Sequence, residues 1–216
     1  MIGIIRHNKE FYLLWAITMI IVGAILPFTE KSDFSLWLNF RHTQAADFFF
    51  RYATWLGDGF VIGVICLILF ILKLRWGIIA SVGSFFSALF INLIKKEYNE
   101  PRPSVVLKNM DLHYVKGLDL YSNFSFPSGH TAAAFTLCVL LCYFAQDKRY
   151  TRLFFALAVI VAISRVYLLQ HFLVDVYFGA LLGTIFGTIL LWPFIRIPLF
   201  SRPWSEIGIL SGNRKV

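Results

Sequence analysis

Charge is scarce in this sequence. Of its 216 residues only 12 are acidic and 20 are Lys or Arg, so 15% are charged while 58% are hydrophobic. A soluble domain carries about 25% charged residues, and a chain of this length cannot hide so much apolar surface from water. A water-soluble globule is therefore excluded, and so is disorder, which needs low hydrophobicity and high charge density. Cysteine is nearly absent, and Cys66, Cys138 and Cys142 all lie in apolar runs with no CxxC pair. An odd number of thiols in such places offers no disulfide framework, and packing is the expected role. There is no HExxH, and the histidines sit among cations that repel a metal, so no metal or cofactor is expected. The net charge of +8 is not gathered on a soluble face, so nucleic acid is not an expected partner. No polybasic segment and no small-residue cleavage site accompany the first apolar run, which reads as a retained anchor rather than a signal peptide. No internal repeat, linker or soluble insert appears, and residues 1–216 are expected to form a single domain.

What the chain has in abundance is long apolar runs. A spanning helix needs about 20 mostly apolar residues, and six stretches qualify: Phe11 to Phe28, Ala53 to Leu72, Gly77 to Ile94, Gly129 to Gln146, Leu153 to about Leu169, and Phe172 to Ile195. Between the first two lies Phe34 to Tyr52, where Trp37, Phe48, Phe49 and Phe50 stand among polar residues, a pattern for a membrane interface. The expected fold is all-α: a polytopic membrane protein with six transmembrane helices in a bundle and an interfacial segment after the first span.

Six crossings put both termini on one side. That side collects Arg6, Lys9, Lys73, Arg75, Lys148, Arg149, Arg152, Arg196, Arg202, Arg214 and Lys215, eleven cations against three acids (Glu10, Asp147 and Glu206). The other side holds nine of each. The cation-rich side is expected to be cytoplasmic, with the Lys95 to Ser128 loop and the Ser164 to His171 turn facing outward. Gly179, Gly183 and Gly187 form a small-residue stripe, expected to serve packing within the bundle ahead of a dimer contact; a monomer or weak homodimer is expected. Asp58 is expected to cap the second span, ahead of contacting the site, and His42 and His113 to be solvated.

Ionisable residues at the rim of a membrane are costly and mark functional sites. Here they gather at one face, as Lys95, Arg102, His130, Arg165, His171 and Asp175, supplied by three separate segments. A phosphoryl group in transfer spreads negative charge over its equatorial oxygens, so its catalysis is mostly positioning and electrostatics. Arg offers a planar fork for phosphate and Lys a point charge. Ser128 and Gly129 start a helix, where unbonded amides and the helix dipole favour an anion, and Gly129 lets the backbone approach closely. His171 and Asp175 are four residues apart and share a helix face, so the carboxylate can fix the imidazole tautomer and leave the other nitrogen as nucleophile. His130, on another helix, is placed to protonate a leaving oxygen. A transporter is the rival from another class, but transporters place their sites near the midplane on broken helices.

Lys95-x6-Arg102-Pro103, then Pro127-Ser128-Gly129-His130, then Ser164-Arg165-x5-His171-x3-Asp175 resembles the three-part signature of the type 2 phosphatidic acid phosphatase (PAP2) superfamily, at eleven specified positions in order. The resemblance implies a metal-independent phosphatase that works through a phosphohistidine on His171. Asp175 would orient that histidine and His130 would protonate the leaving group, while Lys95, Arg102, Ser128, Gly129 and Arg165 would hold the phosphate. It implies a lipid phosphate or diphosphate as substrate and membrane lipids as surroundings. The expected setting is a bacterial inner membrane, with the active site facing outward. Phosphatidylglycerophosphate, phosphatidic acid, undecaprenyl diphosphate and lipid A phosphate all present the same anion on an apolar anchor. Transfer of the phosphoryl group to a second lipid remains an alternative to its hydrolysis.

Overall fold

The computed structural model describes residues 1–145, 147 and 149–197, which form helices joined by turns with no strand among them. The helices are α1 (Ile2–His7), α2 (Lys9–Ile25), α3 (Asp33–Asn39), α4 (Gln44–Ala53), α5 (Gly59–Leu72), α6 (Leu74–Tyr98), α7 (Pro103–Val106), α8 (Gly129–Phe144), α9 (Arg149–Tyr167) and α10 (Leu173–Arg196). The expected cations Lys148, Arg202, Arg214 and Lys215, the acid Glu206 and the end of the fourth span at Gln146 lie outside the described residues.

Each of the six expected spans coincides with one helix, but their lengths do not establish six crossings. Lys9–Phe28, Leu74–Val106, Arg149–Tyr167 and Leu173–Arg196 are long and apolar enough to cross unaided, and α4 with α5, bent by 55° at Asp58, would add a fifth if the pair is one span. The second span was expected to start at Ala53; α5 starts at Gly59 because the Asp58 carboxylate accepts the Phe60 amide at 2.8 Å and caps the helix there. α8 has 16 residues and rises about 24 Å, short of a hydrocarbon layer of about 30 Å. It is tolerated at that length because protein, not lipid, surrounds it: from Thr131 to Phe144 most of its side chains are buried.

α8 is thus the axis of the bundle. One core joins its Leu137, Leu140 and Phe144 to Ile62, Cys66 and Leu69 of α5 and Ile79 and Ala80 of α6. The other joins its Phe135, Cys138, Val139 and Cys142 to Phe11 of α2, Ala158 and Val161 of α9, and Ala180 of α10. All three cysteines are buried and none is in a disulfide, which fits packing. In lipid, helices associate through close backbone approach and hydrogen bonds rather than through water exclusion. The glycine stripe of α10 does this against α8: a Cβ at Gly179 would lie 2.7 Å from the Ser128 carbonyl, at Gly187 3.0 Å from that of Thr136, and at Gly183 inside contact with that of Ala132. The stripe is therefore spent inside the bundle. Thr136 Oγ1 adds a bond of 3.0 Å to the Gly183 carbonyl and 2.9 Å to Ser87 Oγ of α6. Outward, α2 exposes Leu13, Ile17, Ile20 and Ile21, and α6 exposes Phe85, Phe86, Leu89 and Leu93.

The interfacial segment is two short helices, α3 and α4, with Trp37, Phe48, Phe49 and Tyr52 exposed. His42 is exposed, as expected, while His113 is half-buried, and the two belong to a polar knot that ties these helices to the long loop. Their rings stack at 3.8 Å, His113 Nε2 lies 2.7 Å from Asp47 Oδ2, and Tyr167 donates to Asp47 Oδ1 at 2.6 Å. Asn39 closes the knot by exchanging two bonds with the His113 backbone, 2.7 and 3.1 Å long.

Candidate active site

Because neighbouring helices alternate in direction, the C-terminal ends of α6 and α9 meet the N-terminal ends of α8 and α10 at one end of the bundle. The loop from Asn99 to Ser128 folds over that end. All eight expected site residues lie there.

The nucleophile candidate sits in the tight turn between α9 and α10. Leu169 takes the left-handed conformation, with φ 53°, and the Gln170 and His171 amides both return to the Arg165 carbonyl at 3.0 and 3.1 Å. This folds His171 back over the start of α10. His171 is 2% exposed and Asp175 fully buried, with His171 Nδ1 3.5 Å from Asp175 Oδ2. That same oxygen accepts the Ser125 hydroxyl at 2.5 Å and the Phe172 amide at 2.9 Å, which fixes the carboxylate against the imidazole. Burial, then Arg165, Arg102 and Lys95 in turn, hold His171 well below its ordinary pKa, so the ring is neutral. His171 Nδ1, Asp175 Oδ1 and Arg165 Nε have no hydrogen-bond partner among the described residues. Groups of this kind cluster where a ligand completes the network.

The cations converge on the same place. Lys95, at the end of α6, donates to the Phe124 and Ser125 carbonyls, the second at 3.5 Å. A Cβ on Gly129 would lie 3.7 Å from Lys95 Cε, an ordinary contact, so the start of α8 sits beside that side chain. Arg102 donates through Nε to the Asn123 carbonyl at 2.9 Å and stacks over Tyr121 at 5.1 Å. Arg165 donates to Thr54 Oγ1 at 2.8 Å. Ser128 caps α8, its hydroxyl oxygen accepting from Thr131 Oγ1 at 2.9 Å and from the Thr131 amide at 3.4 Å. Its own amide donates to the Asp175 carbonyl at 3.0 Å, which ties the start of α8 to the start of α10.

His130 and Arg165 line a cavity of about 400 Å³ with Thr54, Asp58, Asp119, Tyr121 and Gln170. His130 Nε2 faces Asp58 Oδ2 across 3.8 Å, so Asp58 both caps α5 and reaches the site. Among the described residues no group of three or more His, Cys, Asp or Glu is arranged to hold a metal.

Sequence reasoning missed Ser125, Thr54 and Gln170. Ser125 is a lone polar residue between Phe124 and Phe126, and Gln170 directly precedes His171, and those placements were the available signal.

Residues 76–196 match the sequence model of the PAP2 superfamily. Dolichyldiphosphatase 1 of Dictyostelium discoideum is 30% identical over 180 residues, covering 78% of this chain and 72% of that protein. The crystal structure of LpxE from Aquifex aeolicus superposes with a TM-score of 0.66 at 29% identity, over 73% of this chain and 92% of that one. A transmembrane PAP2 type phosphatidylglycerolphosphate phosphatase from Bacillus subtilis superposes with a TM-score of 0.63 at 22% identity, over 88% and 96%, and shares the fold. With its signature segments assembled at one end of the bundle and more than half of its length matched, the chain belongs to the PAP2 superfamily and is a membrane phosphatase of that family.

Proposed function

We propose that this protein hydrolyses a phosphate monoester or diphosphate carried by a membrane lipid, at the outer face of a bacterial inner membrane, through a phosphohistidine on His171. The observation that carries this reading is the buried His171–Asp175 pair, 3.5 Å apart beneath three cations at the mouth of an apolar bundle. Asp175 Oδ2 faces Nδ1 at 3.5 Å, which leaves Nε2 as the attacking atom. Its lone pair forms a bond to phosphorus as the phosphorus–oxygen bond to the lipid breaks. His130 passes a proton to the departing oxygen. Water then attacks phosphorus, His130 takes the water proton, the phosphorus–nitrogen bond breaks, and inorganic phosphate leaves His171 neutral. Lys95, Arg102 and Arg165 offset the charge on the equatorial oxygens, with Gly129 and the capped start of α8 supplying backbone donors. Ser128 acts as that cap.

The relatives support a phosphorylated lipid as substrate, since one is named for dolichyl diphosphate and another for phosphatidylglycerolphosphate. An outward site follows if α2, α5, α6, α8, α9 and α10 all cross, because the site then lies opposite the cation-rich termini. The test is phosphate release from lipid phosphates in detergent by wild type, His171→Ala and His171→Asn. Wild-type activity that persists in EDTA and vanishes in both variants is expected. Full activity in either folded variant sinks the reading.

A further inference from the structure

Between the two guanidiniums of the site stands a neutral side chain to which the reaction above gives no part. Gln170 is 3% exposed and directly precedes His171. Its Oε1 accepts from Arg102 Nη1 at 3.0 Å and from Arg165 Nη2 at 3.5 Å. Its backbone oxygen accepts a further bond of 3.1 Å from Arg102 Nη1, and its Nε2 donates to the Asp119 carbonyl at 3.0 Å. Asp119 belongs to the stretch of the long loop that, with Gly117, Leu118 and Tyr121, lines the cavity. The polar atoms of this one residue thus bind both arginines and the loop.

The chemistry of that choice is specific. Two guanidiniums brought toward one phosphoryl group repel each other, and in a buried setting the repulsion is poorly screened. A shared acceptor offsets it and fixes the spacing. A carboxylate in the same place would pair with both cations and set a negative charge against the incoming phosphate. A hydrocarbon side chain would pack equally well but leave the guanidiniums without their common acceptor. An amide supplies an acceptor without charge, together with a donor for the loop.

We propose that Gln170 is a positioning residue that holds Arg102 and Arg165 at the spacing one phosphoryl group requires and ties that spacing to the loop at Asp119. The proposal rests on the phosphate-binding roles assigned above to the two arginines.

The experiment measures competitive inhibition by inorganic phosphate on the full chain in detergent, with KM, kcat and melting temperature recorded alongside. It compares wild type, Arg102→Ala, Gln170→Leu and Gln170→Glu. Losing hydrogen bonds to charged groups predicts an inhibition constant for phosphate raised about tenfold or more in Gln170→Leu. Gln170→Glu keeps the acceptor and the shape but adds charge, so its rise exceeds that of Gln170→Leu, while a residue that only packs would shift the melting temperature and leave the constant alone. If Arg102→Ala raises the constant but neither folded Gln170 variant does, the proposal is overturned and the functional reading stands. If Arg102→Ala also leaves the constant unchanged, the phosphate-binding reading fails and takes this proposal with it. Should one Gln170 variant not fold, the other decides.

Discussion

The contact between α10 and α8 is the place where packing and chemistry are hardest to separate, and a single methyl group tests it. A Cβ at Gly183 would fall on the backbone of Ala132, 2.9 Å from its Cα and closer still to its oxygen. Those atoms cannot rotate aside, so α8 itself must shift, and α8 carries Gly129 and His130 at its start. Overpacking of this kind costs about 1–3 kcal/mol, and a clash with backbone places Gly183→Ala toward the upper end. Gly187→Ala meets the Thr136 carbonyl at 3.0 Å and should cost less. Gly63→Ala on α5 meets nothing within 4 Å and gains about 1 kcal/mol at most in helix propensity, so it is the control that should not melt below wild type. Thermal unfolding in detergent, read with phosphate release below the transition, should rank the variants Gly183, then Gly187, then Gly63. Activity should fall most in the first. A Gly183→Ala protein that melts with wild type, or a Gly63→Ala protein that melts as low as Gly183→Ala, would refute the packing argument.

Two further outcomes follow from the site. Ser125→Ala removes a bond of 2.5 Å to the carboxylate that faces His171; a hydrogen bond to a charged group is worth about 1.5–3 kcal/mol, so kcat/KM should drop roughly ten- to a hundredfold in a protein that still folds, and an unchanged value counts against Asp175 as the orienting group. The pKa of His171 is lowered by burial and by its cationic neighbours, so its base form survives as pH falls through the ordinary imidazole value of about 6.5. The acid limb of kcat/KM assigned to His171 should therefore lie well below that value, and a limb at the ordinary position refutes the neutral, cation-flanked histidine.

Much of this arrangement was legible in the chain. The apolar runs located α2, α5, α6, α8, α9 and α10, of which four are long enough to cross a bilayer unaided, and the site residues other than Arg102 stand at or next to the ends of those runs. Boundaries were less legible. The run from Ala53 to Leu72 is continuous in hydropathy, but Asp58 accepts an amide and starts α5 at Gly59. The start of α8 gives no hint that the helix is central and can be short. Least legible were the groups that act through tertiary contact. Gln170 reaches Arg102 across 68 positions and Ser125 reaches Asp175 across 50, so neither spacing carries a periodicity to read. His113 looks like any loop histidine until Asp47 of α4 meets it.

The central claim is that the phosphoryl group passes through His171, and rapid quenching tests it most directly. The enzyme, mixed with a lipid carrying radiolabelled phosphate and quenched in alkali, should hold label on the protein. That label should be lost in acid, as a phosphoramidate is, and map to the peptide containing His171. The His171→Ala protein should hold none. Label that survives in that variant, or that maps to another residue, would contradict the account.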